Sequence, residues 1–180
     1  MPHVNVEIKA RCRDAEAVRR ILRARGADFR GVDHQLDTYF RVEAGRLKLR
    51  EGDIENHLIY YERPNRPGPK RADVRLLPAE PGSELKRMLT EAIGVLAVVD
   101  KRREIYFIDN VKFHVDEVDG LGHFVEIEAQ AAVELGAPDP ESDLRAQCQA
   151  YLDLLAVDPD DLVSESYSDL ILARADDENG

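Results

Sequence analysis

Lys101-Arg102-Arg103-Glu104-Ile105-Tyr106-Phe107-Ile108, Asp109-Asn110, Val111-Lys112-Phe113-His114-Val115-Asp116-Glu117-Val118, Asp119-Gly120-Leu121-Gly122 and His123-Phe124-Val125-Glu126-Ile127-Glu128 follow one another without interruption. The three longer blocks read as antiparallel strands and the two short ones as tight turns. Asp-Asn suits a two-residue hairpin, where positive φ must be tolerated, and the second turn is rich in glycine for the same reason. Successive strand residues face opposite sides. Lys112, His114 and Asp116 therefore share a face, with Val111, Phe113, Val115 and Val118 assigned to the other. Glu126 and Glu128 lie in line with Phe124, opposite Val125 and Ile127. Lys101 and Arg103 also share a face. An isolated sheet leaves such a charged face in water. Several strands carrying both signs allow a second arrangement, in which the charge turns inward and lines a polar tunnel.

Working outward, Val4, Val6 and Ile8 alternate with Asn5, Glu7 and Lys9 in a strand near the N-terminus. Asp14 is placed to cap a helix whose apolar stripe is Val18, Ile21 and Leu22, and Gly26 ends it. Strands are expected over Asp33–Phe40, Arg46–Arg50, His57–Arg63 and Lys70–Leu77. Arg46, Lys48 and Arg50 form a row of like charge that is costly to leave unpaired. The loop Pro64–Pro69 cannot continue a ladder. Ser83 is expected to cap a second helix burying Leu85, Met88, Leu89 and Ile93, with Gly94 stopping it. After Pro138-Asp139, a third helix buries Leu144, Cys148, Tyr151 and Leu155. Glu165–Leu172 reads as a short closing helix. The order β-α-ββββ-α-βββ-α predicts an α+β fold: an eight-stranded antiparallel barrel or tunnel with helices packed outside. One domain is expected over residues 1–174, with an acidic flexible tail at 175–180.

The chain has 180 residues, 25 of them basic and 36 acidic, for a net charge of −11. That balance argues against a nucleic-acid binder or a protein of anionic membranes. There is no apolar run long enough to span a bilayer and no signal-peptide pattern near Met1. Cys12 and Cys148 match no metal spacing, so reduced thiols and a cytoplasmic location are expected.

Glu7, Lys9, Lys48, Arg50, Lys101, Arg103, Lys112, His114, Asp116, Glu126 and Glu128 collect on one face. Cations spread over several strands fit a polyphosphate, whose oxygens accept charge-assisted hydrogen bonds. Carboxylates repel phosphate but can hold Mg²⁺ or Mn²⁺, which bridges to it.

The ordered set of motifs resembles the CYTH superfamily, the triphosphate tunnel metalloenzymes, and within it the class IV adenylyl cyclase branch. Asn5-Val6-Glu7-Ile8-Lys9 is similar to the Glu-x-Glu-x-Lys signature. Gly45–Glu51 resembles the cationic strand and Lys101-Arg102-Arg103 the Lys-x-Arg. Val115–Glu128 is similar to the acidic end, and Ser166–Leu170 to a common C-terminal segment. The resemblance implies a tunnel that is often dimeric, so a homodimer is a candidate assembly, and a triphosphate substrate such as ATP. By position it implies Glu7, Asp116, Glu126 and Glu128 as carboxylates for Mg²⁺ or Mn²⁺. Lys9, Lys48, Arg50, Lys101, Arg103 and Lys112 would hold phosphates, and Lys9, Arg103 and Glu126 would be catalytic. The chain departs from the signature at Asn5, which removes one negative charge, and at Glu62, where a Lys is often found; Arg63 or Arg71 is positioned to compensate. Three readings stay open: conversion of ATP to cyclic AMP and pyrophosphate, hydrolysis of an inorganic, thiamine or nucleoside triphosphate, and non-catalytic polyphosphate binding.

Overall fold

Alternation of charge and oil along each strand sets the architecture. The computed structural model of the chain describes residues 3–132 and 138–179. The elements, in order, are β1 (His3–Arg11), α1 (Ala15–Ala24), β2 (Asp28–Phe40), β3 (Arg46–Gly52), β4 (His57–Glu62) and β5 (Lys70–Pro78). They continue with α2 (Leu85–Ile93), β6 (Val95–Ile108), β7 (Val111–Val118), β8 (Gly122–Ala132), α3 (Glu141–Leu154), the two-residue β9 (Leu162–Val163) and α4 (Tyr167–Asn179). The strands neighbour one another in the order β5-β4-β3-β2-β6-β7-β8-β1, and β1 pairs back onto β5. This closes an antiparallel barrel and leaves its eight strands without a free edge along the closure. The expected α+β barrel is the fold observed. Each turn of the β6–β8 meander falls where expected: Ile108 opposes Val111, and Val118 opposes Gly122. Asp109 takes the positive φ of 50° that the two-residue turn requires.

The apolar faces of β1, β7 and β8 turn outward and meet α1 and α3. Val4, Val6, Ile8, Phe113, Val115, Val125 and Ile127 pack with Val18 and Leu22 of α1 and with Leu144, Cys148 and Leu152 of α3. The oil is thus between barrel and helices, and the charge is inside. Asp14 caps α1 by accepting from the Ala17 amide at 2.9 Å. On α3, Leu155 is buried as expected, while Tyr151 stays half-buried, edge-on to Phe113 at 4.9 Å between ring centres.

The structure differs from the sequence reading in several local details. Val118 has the same parity as Lys112, and it joins Tyr39, Val99, Phe124, Val163 and Tyr167 in a buried cluster on the barrel's inner side. Helix α2 does not bury its stripe: Met88 is 63% exposed, and Ile93 is exposed too. Its N-cap is Glu84, without a side-chain cap bond, rather than Ser83. Amphipathic spacing shows which face could be buried, and among the described residues no further layer covers α2. Strand β2 begins at Asp28, five residues before its expected start, because β6 extends far enough to pair with it through a bulge between Phe29 and Gly31. Helix α4 continues through the stretch expected as a tail as far as Asn179, and Gly180 lies outside the described residues. Among the described residues, no helix is long and apolar enough to cross a membrane.

Candidate active site

The inner faces of the barrel enclose a cavity of about 140 Å³. One wall is a charge hub. The Asp37 carboxylate, 1% exposed, accepts from Arg50 Nε and Nη2 at 2.9 Å each, from Lys48 Nζ at 2.8 Å and from Lys101 Nζ at 2.7 Å. Strand register brings them together: Asp37 on β2 is directly opposite Arg50 on β3, and β6 flanks the other side. Burial opposes ionisation of Asp37, but Arg50, Lys101 and Lys48 outweigh it and hold the carboxylate well below its ordinary range. Burial pushes Lys101 down to about 7 against the pull of Asp37.

The adjoining wall is built around Arg103. It donates to both Asp116 oxygens, at 2.7 and 2.6 Å, and to Glu126 Oε2 at 2.9 Å. The Tyr167 hydroxyl also donates to Asp116, at 2.6 Å. Lys9 Nζ lies 3.2 Å from Glu126 and 3.8 Å from the centre of the Tyr167 ring. His114 Nδ1 meets Glu126 at 3.0 Å, while its buried Nε2 has no hydrogen-bond partner among the described residues. Burial, then Arg103, pushes His114 down to about 3. The ring is therefore neutral at pH 7. The contact to a carboxylate assigns its proton to Nδ1 and leaves an acceptor lone pair on Nε2.

Next round the barrel, β8 and β1 place carboxylates against one another. Glu7 is directly opposite Glu128, and Lys9 opposite Glu126. Like charges in register destabilise a sheet, and here each has drawn a partner: Asn5 Nδ2 donates to Glu128, and Arg63 Nη1 to Glu7. Burial still pushes Glu128 up to about 7, with Glu7 and Glu126 adding to the shift against Lys112. A carboxylate that burial keeps from ionising, with two others nearby, fits a hard divalent cation in chemistry. Among the described residues no three acidic, His or Cys side chains stand together as a finished metal site.

The cavity is lined by every expected phosphate residue, namely Lys9, Lys48, Arg50, Lys101, Arg103 and Lys112, and by Glu7, Glu126 and Glu128. Asp116 stands behind them, both oxygens committed to Arg103 and Tyr167, which makes it a support for Arg103. Arg63, not Arg71, enters the cavity. Arg71 is outside, bonded to Asp73 and Asp139. Buried Nε and Nη2 of Arg63 have no partner among the described residues, so this guanidinium has donors to spare for an anion. Sequence reasoning missed Asp37 and Tyr167, and Glu55 as well. Arg63 was within reach, since it continues the inward parity of Ile59 and Tyr61.

A family model described as CYTH domain matches residues 3–148. A Methanocaldococcus jannaschii protein named "Putative adenylate cyclase MJ0240" is 24% identical over 176 residues, 93% of this chain and 98% of that one. The solved structure of the PH1012 protein from Pyrococcus horikoshii superposes with a TM-score of 0.77 at 22% identity, covering 92% of this chain and 98% of that one. A Hippeastrum protein, described as a "Putative adenylyl cyclase" that "reveals a dominant" triphosphatase activity, has a TM-score of 0.54 at 16% identity, with 95% of each chain covered. With the family match extending over most of its length, and the barrel and inward charge on which the resemblance rests, the chain belongs to the CYTH domain family.

Proposed function

We propose that this protein is a metal-dependent enzyme acting on a triphosphate held inside the barrel, and that it converts ATP to cyclic AMP and pyrophosphate. The observation that carries this reading is the enclosure, in one cavity, of seven basic side chains (Lys9, Lys48, Arg50, Arg63, Lys101, Arg103 and Lys112) beside the carboxylates of β1 and β8. Cations fixed in advance stabilise charge that grows on a departing pyrophosphate without having to reorganise. Asp37 holds Lys48, Arg50 and Lys101 in place; Asp116 does the same for Arg103. Arg63 and Lys9 border the acidic cluster, where they would bind phosphoryl oxygens nearest the reacting phosphorus. Ile59, Val74 and Leu76 give the cavity an apolar side that suits a nucleoside. The donor set favours a divalent cation at Glu7, Glu126 and Glu128, which when bound supplies charge neutralisation and lowers the pKa of the attacking hydroxyl. The cyclase reading is supported by the name of the Methanocaldococcus relative. Hydrolysis of the triphosphate is the second reading, drawn from the activity described for the Hippeastrum protein.

Replacing Glu126 tests the assignment. Glu126→Ala is expected to abolish Mg²⁺- or Mn²⁺-dependent turnover of ATP while the circular dichroism spectrum is retained. Full activity in that variant would overturn the reading.

A further inference from the structure

Glu55 is unlike the other carboxylates of the cavity, because it comes from the loop between β3 and β4 rather than from the barrel wall. Its carboxylate accepts from Arg50 Nη1 at 2.9 Å, from Lys112 Nζ and, at 3.2 Å, from Gln35 Nε2. Burial opposes its ionisation, but Lys112 and Arg50 outweigh that and hold it below the usual carboxylate range. The loop is built to deliver it. Fully buried Asp33 accepts from the amides of Ile54 at 2.8 Å and Glu55 at 3.0 Å. Asn56 exchanges hydrogen bonds with the backbone of Gly52 at 3.0 and 2.8 Å. At Gly52 a Cβ would fall 2.7 Å from Asp33 Oδ1 and 2.8 Å from the Glu55 carbonyl, so only glycine allows the loop to close this tightly. Asp37 and Asp116 are sealed at 1% exposure, whereas the Glu55 side chain is 20% exposed and can leave.

We propose that Glu55 is a specificity-determining residue: its carboxylate occupies the seat on Arg50 and Lys112 that a phosphoryl group would take, so a phosphate chain long enough to reach both cations must displace it. The proposal rests on the phosphate role given above to Arg50 and Lys112. The chemistry of the seat is that of any tetrahedral oxyanion, two charge-assisted donors converging on one acceptor. The cavity's present size agrees. About 140 Å³ is well below the roughly 300–1,000 Å³ of pockets that hold drug-sized ligands, and withdrawal of Glu55 would enlarge it. A short anion can be held by Arg63, Lys9 and Arg103 with Glu55 still in place. A longer chain cannot, and its binding carries the cost of breaking the two ion pairs. The loop anion thus lowers affinity in proportion to how far the substrate extends along the cation row.

The test is calorimetric titration of the full chain and of Glu55→Gln with orthophosphate and with tripolyphosphate, each in EDTA. The variant is expected to bind tripolyphosphate about tenfold more tightly, the effect of removing one competing charge-assisted contact. Its affinity for orthophosphate is expected to change less than about twofold. Neutralising Lys112 as Lys112→Met should shrink the tripolyphosphate gain from Glu55→Gln, because the two residues share one seat. Unchanged tripolyphosphate affinity in Glu55→Gln, or an equal gain for both anions, would overturn the proposal. Failure of both proteins to bind tripolyphosphate at all would instead overturn the phosphate reading of the cavity, and Glu55 would fall with it. Folding of the variant is checked by its thermal midpoint. The loop is tied by Asp33 and Asn56, so a midpoint near that of the parent is expected.

Discussion

Neutralising Asp37 as Asp37→Asn should reveal how much the barrel depends on charge held inside it. Four hydrogen bonds of 2.7–2.9 Å converge on this carboxylate from Lys48, Arg50 and Lys101. The amide keeps the shape and removes the charge, leaving buried Arg50 and Lys101 and half-buried Lys48 without that countercharge, Glu55 still pairing with Arg50. Breaking a buried ion pair from one side costs about 3–5 kcal/mol. For a chain of this length each kcal/mol moves the thermal midpoint by about 2–4 °C, so a fall of roughly 6–20 °C is expected. The loss depends on pH. Lys101 stands at about 7 with Asp37 in place, and without Asp37 it falls further. A base whose folded pKa lies below its unfolded value binds fewer protons when folded, so stability rises with pH between the two values. The gap between variant and parent should be wide at pH 5 and narrower at pH 7, where the variant can shed the Lys101 proton. In the parent, Asp37 itself has a depressed pKa. Its contribution is present above the unfolded value of about 3.9 and is lost as pH falls through the folded one. Thermal unfolding at pH 5 and pH 7, with and without tripolyphosphate, measures all of this. The anion should raise the midpoint of the variant more than that of the parent, because it restores the missing countercharge. A midpoint within about 2 °C of the parent at both pH values would refute the reasoning.

Arg50→Ala should weaken tripolyphosphate binding about tenfold or more, and monophosphate binding by clearly less; equal weakening in calorimetry would argue against a site for an extended phosphate chain. Asn5→Glu adds a charge beside Glu128 and replaces the donor that Asn5 now offers it. The metal-free variant should melt at lower temperature than the parent and recover with Mn²⁺, and a midpoint indifferent to Mn²⁺ would contradict the acidic cluster as a cation site. Phe113→Ala empties a fully buried position between β7 and α3. It should cost about 3–5 kcal/mol in denaturant unfolding, and a loss below about 1 kcal/mol would mean that the oil outside the barrel is not its main support.

The meander over Lys101–Glu128 was legible because local signals coincide there: period-two alternation, an Asp-Asn turn, and a turn with glycine at positions 120 and 122. The interior cations were legible for the same reason, since parity alone puts Lys48 with Arg50 and Lys101 with Arg103. Asp37 was not, because its role comes from the non-local register that sets β2 between β3 and β6. A single acid among Tyr39, Phe40 and Thr38 carries no such signal. Glu55 lies on a loop, where no periodicity says which way a side chain turns. The resemblance names Asp116 as a metal carboxylate, and parity puts it on the inner face with His114; that it pairs with Arg103 and Tyr167 comes from non-local packing. Met88 had the spacing of a core residue without a layer to cover it.

The central claim is that this cavity turns over a triphosphate, and analysis of the products tests it most directly. Purified protein would be incubated with ATP, and separately with tripolyphosphate, in Mg²⁺, in Mn²⁺ and in EDTA, with products resolved by ³¹P NMR and chromatography. Cyclic AMP and pyrophosphate, formed from ATP with metal and not with EDTA, are the predicted result. No metal-dependent product from either substrate would contradict the claim.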